Sequence, residues 1–173
     1  MTALVARRAR TDDVSAIKAL VDSYAGRVLL AKELITLYET VQEFWVVELD
    51  GRIVGCGALH VLWVDLAEVR TVAVDPALAG RGIGGVLVEA LLRTAREVGV
   101  RRVFVLTFER EFFSRFGFAE IDGTPVSHDV YEQMRRSYDA GVAEFLDLAY
   151  VRPNTLGNVR MLLEFEDPPE SDD

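Results

Sequence analysis

Four glycines, Gly80, Gly82, Gly84 and Gly85, are interleaved with Ala79, Arg81 and Ile83 a short loop beyond the β-branched run Glu68-Val69-Arg70-Thr71-Val72-Ala73-Val74. Pro76 cannot donate to a sheet ladder, so it closes that run as a strand. After the glycines, Val86, Leu87, Ala90, Leu91, Ala95 and Val98 recur at helical spacing, and Gly99 suits a left-handed helix end. The order is strand, loop, glycine cradle, helix. A helix start presents unpaired backbone N–H groups and the positive end of a dipole, and glycine lets an anion approach that backbone closely. The chemistry indicated is the holding of a phosphate.

The elements that must position these residues follow from periodicity. Leu4 to Ala9 reads as a first strand. Thr11-Asp12-Asp13 supplies capping oxygens for a helix carrying Val14, Ile17, Leu20, Val21 and Tyr24, which Gly26 breaks. A second short helix carries Leu34, Leu37, Tyr38 and Val41. Phe44 to Leu49 and Ile53 to Leu62 form a hairpin about Asp50-Gly51. Beyond the cradle helix come a buried strand, Val103 to Thr107, a helical turn, Glu109 to Phe116, and an edge strand, Gly117 to Ile121. Ser127 caps a helix with Val130, Tyr131, Met134 and Tyr138, and two apolar strands are expected near Phe145 to Val151 and Val159 to Phe165. This order describes an α+β layer on one mixed sheet.

The chain has 173 residues, half of them hydrophobic, and one core accommodates residues 1–165 as a single domain. Residues 166–173 read as an acidic, disordered tail. A net charge of −9 argues against nucleic acid as partner, and no run has the length of a membrane span. Cys56 is the single cysteine, and no metal-ligand spacing occurs. The expectation is a cytoplasmic protein acting on a small molecule, without metal and with a homodimer possible through edge strands.

Two nucleotide folds can use the glycine segment. Gly80-x-Gly82-x-x-Gly85 satisfies the dinucleotide fingerprint, with Glu109 as a ribose-binding acid. Against it, Asp75 to Ala79 separate strand from glycines, and no second βαβ half follows. The segment instead resembles the acyl-CoA-binding core of the GNAT superfamily of N-acetyltransferases, in which an Arg/Gln-x-x-Gly-x-Gly/Ala motif follows a Val-x-Val strand. Arg81, Gly82 and Gly84 match it, while Ala79 occupies the place of the first Arg or Gln.

The resemblance implies the GNAT fold, with splayed fourth and fifth strands and acetyl-CoA as co-substrate. It places Val72, Ala73 and Val74 along the pantetheine and Ala79, Gly80, Arg81, Gly82, Ile83, Gly84 and Gly85 around the pyrophosphate, and it turns the backbone N–H of Val72 or Ala73 toward the acetyl oxygen. It makes Glu68 the catalytic base for the amine. Strand alternation would put residues 68, 70, 72 and 74 on one face. The usual tyrosine acid is Phe113 here, leaving solvent or a hydroxyl such as Thr107 to protonate the sulfur. His60 reads as a hydrogen-bonded histidine, Ser127-His128-Asp129 as a cap, Cys56 as a small core residue, and Tyr24, Tyr38 and Tyr131 as core aromatics.

Val28 to Lys32, Val54 to Leu59, Val103 to Thr107 and Arg135-Arg136-Ser137 further resemble the acetyltransferase domain of N-acetylglutamate synthases. Val151 to Asn158 suggests the short, single-domain actinobacterial type. The implied activity is transfer of acetyl to the α-amine of L-glutamate, or L-glutamine, at the head of arginine biosynthesis. Lys32, Arg135 and Ser137 are the implied substrate-binding residues, with Arg70 as a further carboxylate ligand or a partner of Glu68. The amino-acid-kinase-like module of the longer synthases has no counterpart in this sequence, so arginine feedback is not implied. Another small amine as acceptor, or a non-catalytic acyl-CoA-binding module, are the alternatives.

Overall fold

The computed structural model describes residues 3–24 and 32–167. Its strands are β1 (Ala6–Arg8), β2 (Phe44–Leu49), β3 (Arg52–Trp63), β4 (Leu66–Val74), β5 (Arg102–Thr107), β6 (Ala119–Glu120) and β7 (Val159–Glu164). The helices are α1 (Val14–Asp22), α2 (Leu34–Glu39), α3 (Ile83–Glu97), α4 (Arg110–Ser114), α5 (His128–Met134), α6 (Ala140–Phe145) and α7 (Arg152–Thr155). The strands form one sheet in the order β1-β2-β3-β4-β5-β7-β6. Among the described residues only β4 and β5 run parallel, because α3 carries the chain between them as a crossover.

Both faces of the sheet are covered. Leu91, Val88 and Ala95 of α3 pack on Val69, Val103 and Val105. The opposite face receives Val14, Ile17 and Val21 of α1 over Val46, Cys56 and Ala58, and α5 and α6 over Leu66 and Phe104. Close seating of α3 depends on glycine in β3. A Cβ at Gly55 would stand 2.6 Å from Ile83 Cγ2, and one at Gly57 would stand 3.0 Å from Leu91 Cδ1.

The hairpin turn, both short helices and the strand-loop-helix order match the reading of the sequence, and the sheet is the mixed α+β layer expected. One expected strand is not there. Phe145 to Val151 ends α6 and continues into a short 3-10 turn at Ala149–Val151. The cause is local: Asp139 caps α6 by accepting the Val142 N–H at 2.9 Å, and Val142, Ala143, Phe145 and Leu146 bury one helical face. Gly26 lies outside the described residues, as do Val28 to Ala31 and positions 168–173 of the expected tail, so α1 is followed only to Tyr24. Tyr38, expected in the core, is 43% exposed.

The departure that matters most lies within β4. Cys56 pairs with Ala73 and Ala58 with Arg70, so Thr71 and Val72 together oppose Gly57 alone. Thr71 has φ of +58° and is buried. A β-branched residue in the left-handed region is strained, which the surrounding ladder must hold in place. This bulge reverses the alternation of the strand. Residues 68, 70, 72 and 74 therefore do not share a face: Val72 and Val74 pack toward α3, while Glu68 and Arg70 point to the side of α6.

Candidate active site

The β4–β5 ladder ends at Glu68 opposite Phe104, and beyond it the two strands diverge. Between them opens a cleft of about 840 Å³. Val69, Val72 and Val74 line one wall, Val105, Thr107 and the aromatic rings of α4 the other, and the glycine loop its mouth. Gly80 and Gly82 have φ of +79° and +83°, and nothing lies within 4 Å of where a Cβ would stand at either. Gly82 is the residue before α3, so the first N–H groups of that helix open toward the cleft without intrahelical partners. Ala79, Ile83, Gly84 and Gly85 also line it, but Arg81 and Ala73 do not. An anion with a long apolar arm matches this shape, its phosphates at the helix start and its arm beside the unpaired edge of β4.

On the opposite face of β4 lies a buried charge cluster. Arg70 donates to Glu68 Oε2 at 3.0 Å and to both oxygens of Asp139 at 2.8 and 3.0 Å. Burial pushes the Glu68 carboxyl above its usual range, against the opposing pull of Arg70 and His60, and Asp139 adds to the rise. Burial works against the Arg70 guanidinium too, yet Glu68 and Asp139 together hold its proton firmly. Asp139 is also disfavoured by burial, but Arg70 and the Val142 N–H keep it below the ordinary carboxylate range. The half-buried Lys32 faces the same group; burial and then Arg70 lower its ammonium from the usual value. Glu144 completes the set, its carboxyl pushed up to about 7 by burial and then by Glu68.

The structure thus joins Glu68, Arg70 and Lys32, three of the residues singled out in the sequence. Arg135 is exposed and engages Glu132 at 3.3 Å, and the exposed Ser137 accepts the backbone N–H of Asp139. Asp139 and Glu144 were missed. Both precede the expected strand Phe145 to Val151, in a stretch to which the sequence reading assigns no element, and only the Asp139 cap signal points to α6. Arg70, half foreseen as a partner of Glu68, proves to serve two carboxylates.

The remaining residues take up simpler roles. His60 Nδ1 lies 2.9 Å from Glu43 Oε1, and Ser127 Oγ accepts the Val130 N–H. Cys56 is buried, and desolvation pushes its thiol up to about 12, so it is a core residue and not a nucleophile. Phe113 is buried against Phe112 and Phe118, which leaves an apolar ring where a hydroxyl acid would stand. Thr107 lines the cleft and its Oγ1 accepts the Glu109 N–H at 2.8 Å, leaving its own hydrogen available to donate. Tyr24, expected in the core, lines the cleft as well, and its hydroxyl donates to the Val74 carbonyl. Among the described residues, no group of three His, Cys, Asp or Glu side chains could hold a metal ion, and no helix is long and apolar enough to cross a membrane.

A parallel strand pair splayed over a helix start, with a bulge that sets the glycine-loop side of β4 apart from the charged side, is the architecture of an acyltransferase of the acyl-CoA-binding kind. The model of the acetyltransferase (GNAT) family matches residues 16–118, and the chain belongs to that family. It is 67% identical over 162 residues to an amino-acid acetyltransferase of Mycobacterium tuberculosis, covering 92% of this chain and 93% of that one. The crystal structure of Rv2747 from M. tuberculosis, in complex with CoA and NLQ, superimposes with a TM-score of 0.92 at 66% identity, covering 94% of this chain and 99% of that chain. N-acetylglutamate synthase from Neisseria gonorrhoeae, solved with coenzyme A and N-acetyl-glutamate, shares the fold with a TM-score of 0.75 at 22% identity, covering 96% of this chain and 36% of its own length.

Proposed function

We propose that the protein transfers acetyl from acetyl-CoA to the α-amine of L-glutamate or L-glutamine, the opening step of arginine biosynthesis. It is an acetyl-CoA-dependent amino-acid N-acetyltransferase, in keeping with its 67% identity to an amino-acid acetyltransferase over nearly all of both chains. The observation that carries the reading is the Thr71 bulge, which sets Val72 and Val74 toward the glycine cradle and Glu68 with Arg70 toward the opposite face. The two faces meet where β4 and β5 part.

The residues divide the work accordingly. Backbone N–H groups at the start of α3 hold the pyrophosphate, and the free edge of β4 lines the pantetheine. Lys32 and Arg70 supply positive charge near the acceptor's carboxylate. Glu68 takes one proton from the acceptor's ammonium, directly or through one water, and leaves a neutral amine to attack the thioester carbon. A backbone N–H at the bulge, that of Val72, meets the oxygen on which negative charge develops, since Ala73 is paired with Cys56 and does not line the cleft. As the carbon–nitrogen bond forms the carbon–sulfur bond breaks; the nitrogen gives up its second proton to solvent, and the sulfur takes one from solvent or from the Thr107 hydroxyl, which solvent then reprotonates. One thiol forms and one proton passes from Glu68 to solvent in each turnover.

The test is release of free CoA thiol over a panel of amino acids. Turnover with glutamate or glutamine, and a fall in kcat of about 10²–10⁴-fold in Glu68→Gln with KM for acetyl-CoA unchanged, is the expected result. Thiol release confined to other amines would overturn the substrate, and unchanged turnover in Glu68→Gln would remove Glu68 as base.

A further inference from the structure

A base that is paired with arginine ought to be a poor one, since an adjacent cation favours the ionised carboxylate. Glu68 is paired with Arg70 and buried at 5% exposure, yet it must accept a proton for the chemistry above. The conflict is resolved by what else the guanidinium touches. Asp139 grips the same Arg70 through two hydrogen bonds, whereas Glu68 receives one.

We propose that Asp139 is a positioning residue that draws the Arg70 guanidinium away from Glu68 and so preserves Glu68 as a proton acceptor. The inference rests on the reading of Glu68 as base. Asp139 and the guanidinium that it grips are held for the task from three sides. It caps α6 through the Val142 N–H, its own N–H is fixed by Ser137 Oγ, and Gly141 lies against the guanidinium plane, its Cβ position only 2.7 Å from Arg70 Cζ. A guanidinium so placed cannot slide toward Glu68 without giving up two bonds to Asp139. With two carboxylates sharing one cation, the triad carries a net negative charge when all three are ionised, which favours protonation of the more buried member. Glu68 is that member, and Asp139 acts on it in the direction required.

Other charges bear on the same carboxyl. His60 reaches it from β3, Lys32 from the segment before α2, Glu144 from α6 and Arg160 from β7, while Glu43, ahead of β2, acts on Arg70 and Lys32. None of these except Arg70 donates a hydrogen bond to Glu68 among the described contacts. Asp139 alone of them competes for the donor.

Asp139→Asn provides the test, because the amide keeps the capping oxygen for Val142 and removes the charge. With acetyl-CoA and amino acid saturating, kcat is followed over roughly pH 5 to 9 for wild type, Asp139→Asn, Asp139→Glu and Glu68→Gln. The expected result is an acid limb moved about one unit lower in Asp139→Asn and kcat at the plateau down about 3–10-fold. KM for acetyl-CoA stays unchanged, and the limb returns toward wild type in Asp139→Glu. Asp139→Ser, a second neutral cap, replaces Asn if that variant does not fold. An unmoved acid limb, or a rise only in KM for the amino acid, overturns the role of Asp139 while a dead Glu68→Gln leaves the base in place. Wild-type turnover in Glu68→Gln instead brings down the base, and the Asp139 proposal with it.

Discussion

Gly141→Ala sets two effects against each other. Alanine in a helix is worth about 1 kcal/mol over glycine, and Gly141 is the second residue of α6, where its φ is not in the left-handed region. Propensity alone therefore predicts a stabilised protein. The added methyl, however, would meet Arg70 Cζ at 2.7 Å, Nη1 at 2.8 Å and Nη2 at 2.9 Å. Ordinary contact requires about 3.5 Å or more, so the guanidinium must retreat by roughly 0.8 Å. Bonds now at 2.8 to 3.0 Å would stretch beyond useful range, and each charge-assisted bond lost costs about 1.5–3 kcal/mol. Loss of one such bond, less the helix gain, leaves the variant about 0.5–2 kcal/mol less stable. For a domain of this size that is a fall in Tm of about 1–8 °C. The assay is paired: thermal melting and thiol release, with kcat expected to fall because Arg70 and Glu68 move together. A Tm raised by a few degrees with unchanged kcat would refute the reasoning, since it would mean that the guanidinium is free to yield.

Glu144→Gln tests the strain of a crowded carboxylate. A carboxyl whose folded value is raised from 4.5 to about 7 holds its proton longer in the native state, so its destabilising effect grows as pH rises from 4.5 toward 7 and is constant above that. Urea melts should find the variant equal to wild type near pH 4.5 and more stable by about 1–2 kcal/mol at pH 8, after discount for solvent screening; a less stable variant at pH 8 would contradict this. Asp13→Asn works in the opposite sense. Arg7 donates to both Asp13 oxygens at 2.7 and 2.9 Å, which holds that carboxyl below its usual 3.8 despite burial. The pair's stabilisation is present above about pH 4 and is lost as pH falls through the lower folded value. The variant should melt earlier than wild type at pH 7 and converge on it in strong acid, and a constant gap across that range would exclude the pair as cause.

How far the site was legible depended on the range of each interaction. The glycine cradle could be read because it is local: a strand stopped by Pro76, glycines at a helix start and an apolar-periodic helix lie within one continuous stretch. Glu68 could be placed by its distance along the same strand. Asp139 could not, because its partner Arg70 is 69 residues away and the helix that it caps, only six residues long, is too short to show a clear helical period. Arg135 and Ser137 show the converse. A motif picked them out, yet Arg135 lies at the surface beside Glu132, and it is the next turn of chain that reaches the buried cluster.

The bulge marks the boundary between the two kinds of knowledge. Composition, periodicity and turn residues determined that this chain builds one mixed sheet with a helix start aimed at a phosphate, since each of those choices is made by neighbours in sequence. Threonine at position 71 carries no local signal for a left-handed backbone; it adopts one because β3 and β4 are paired in a register that leaves two residues opposite Gly57. Only that pairing puts Glu68 and Arg70 on one face and Val72 and Val74 on the other, and so only the tertiary structure decided that the glycine loop and the buried charge cluster lie on opposite sides of β4.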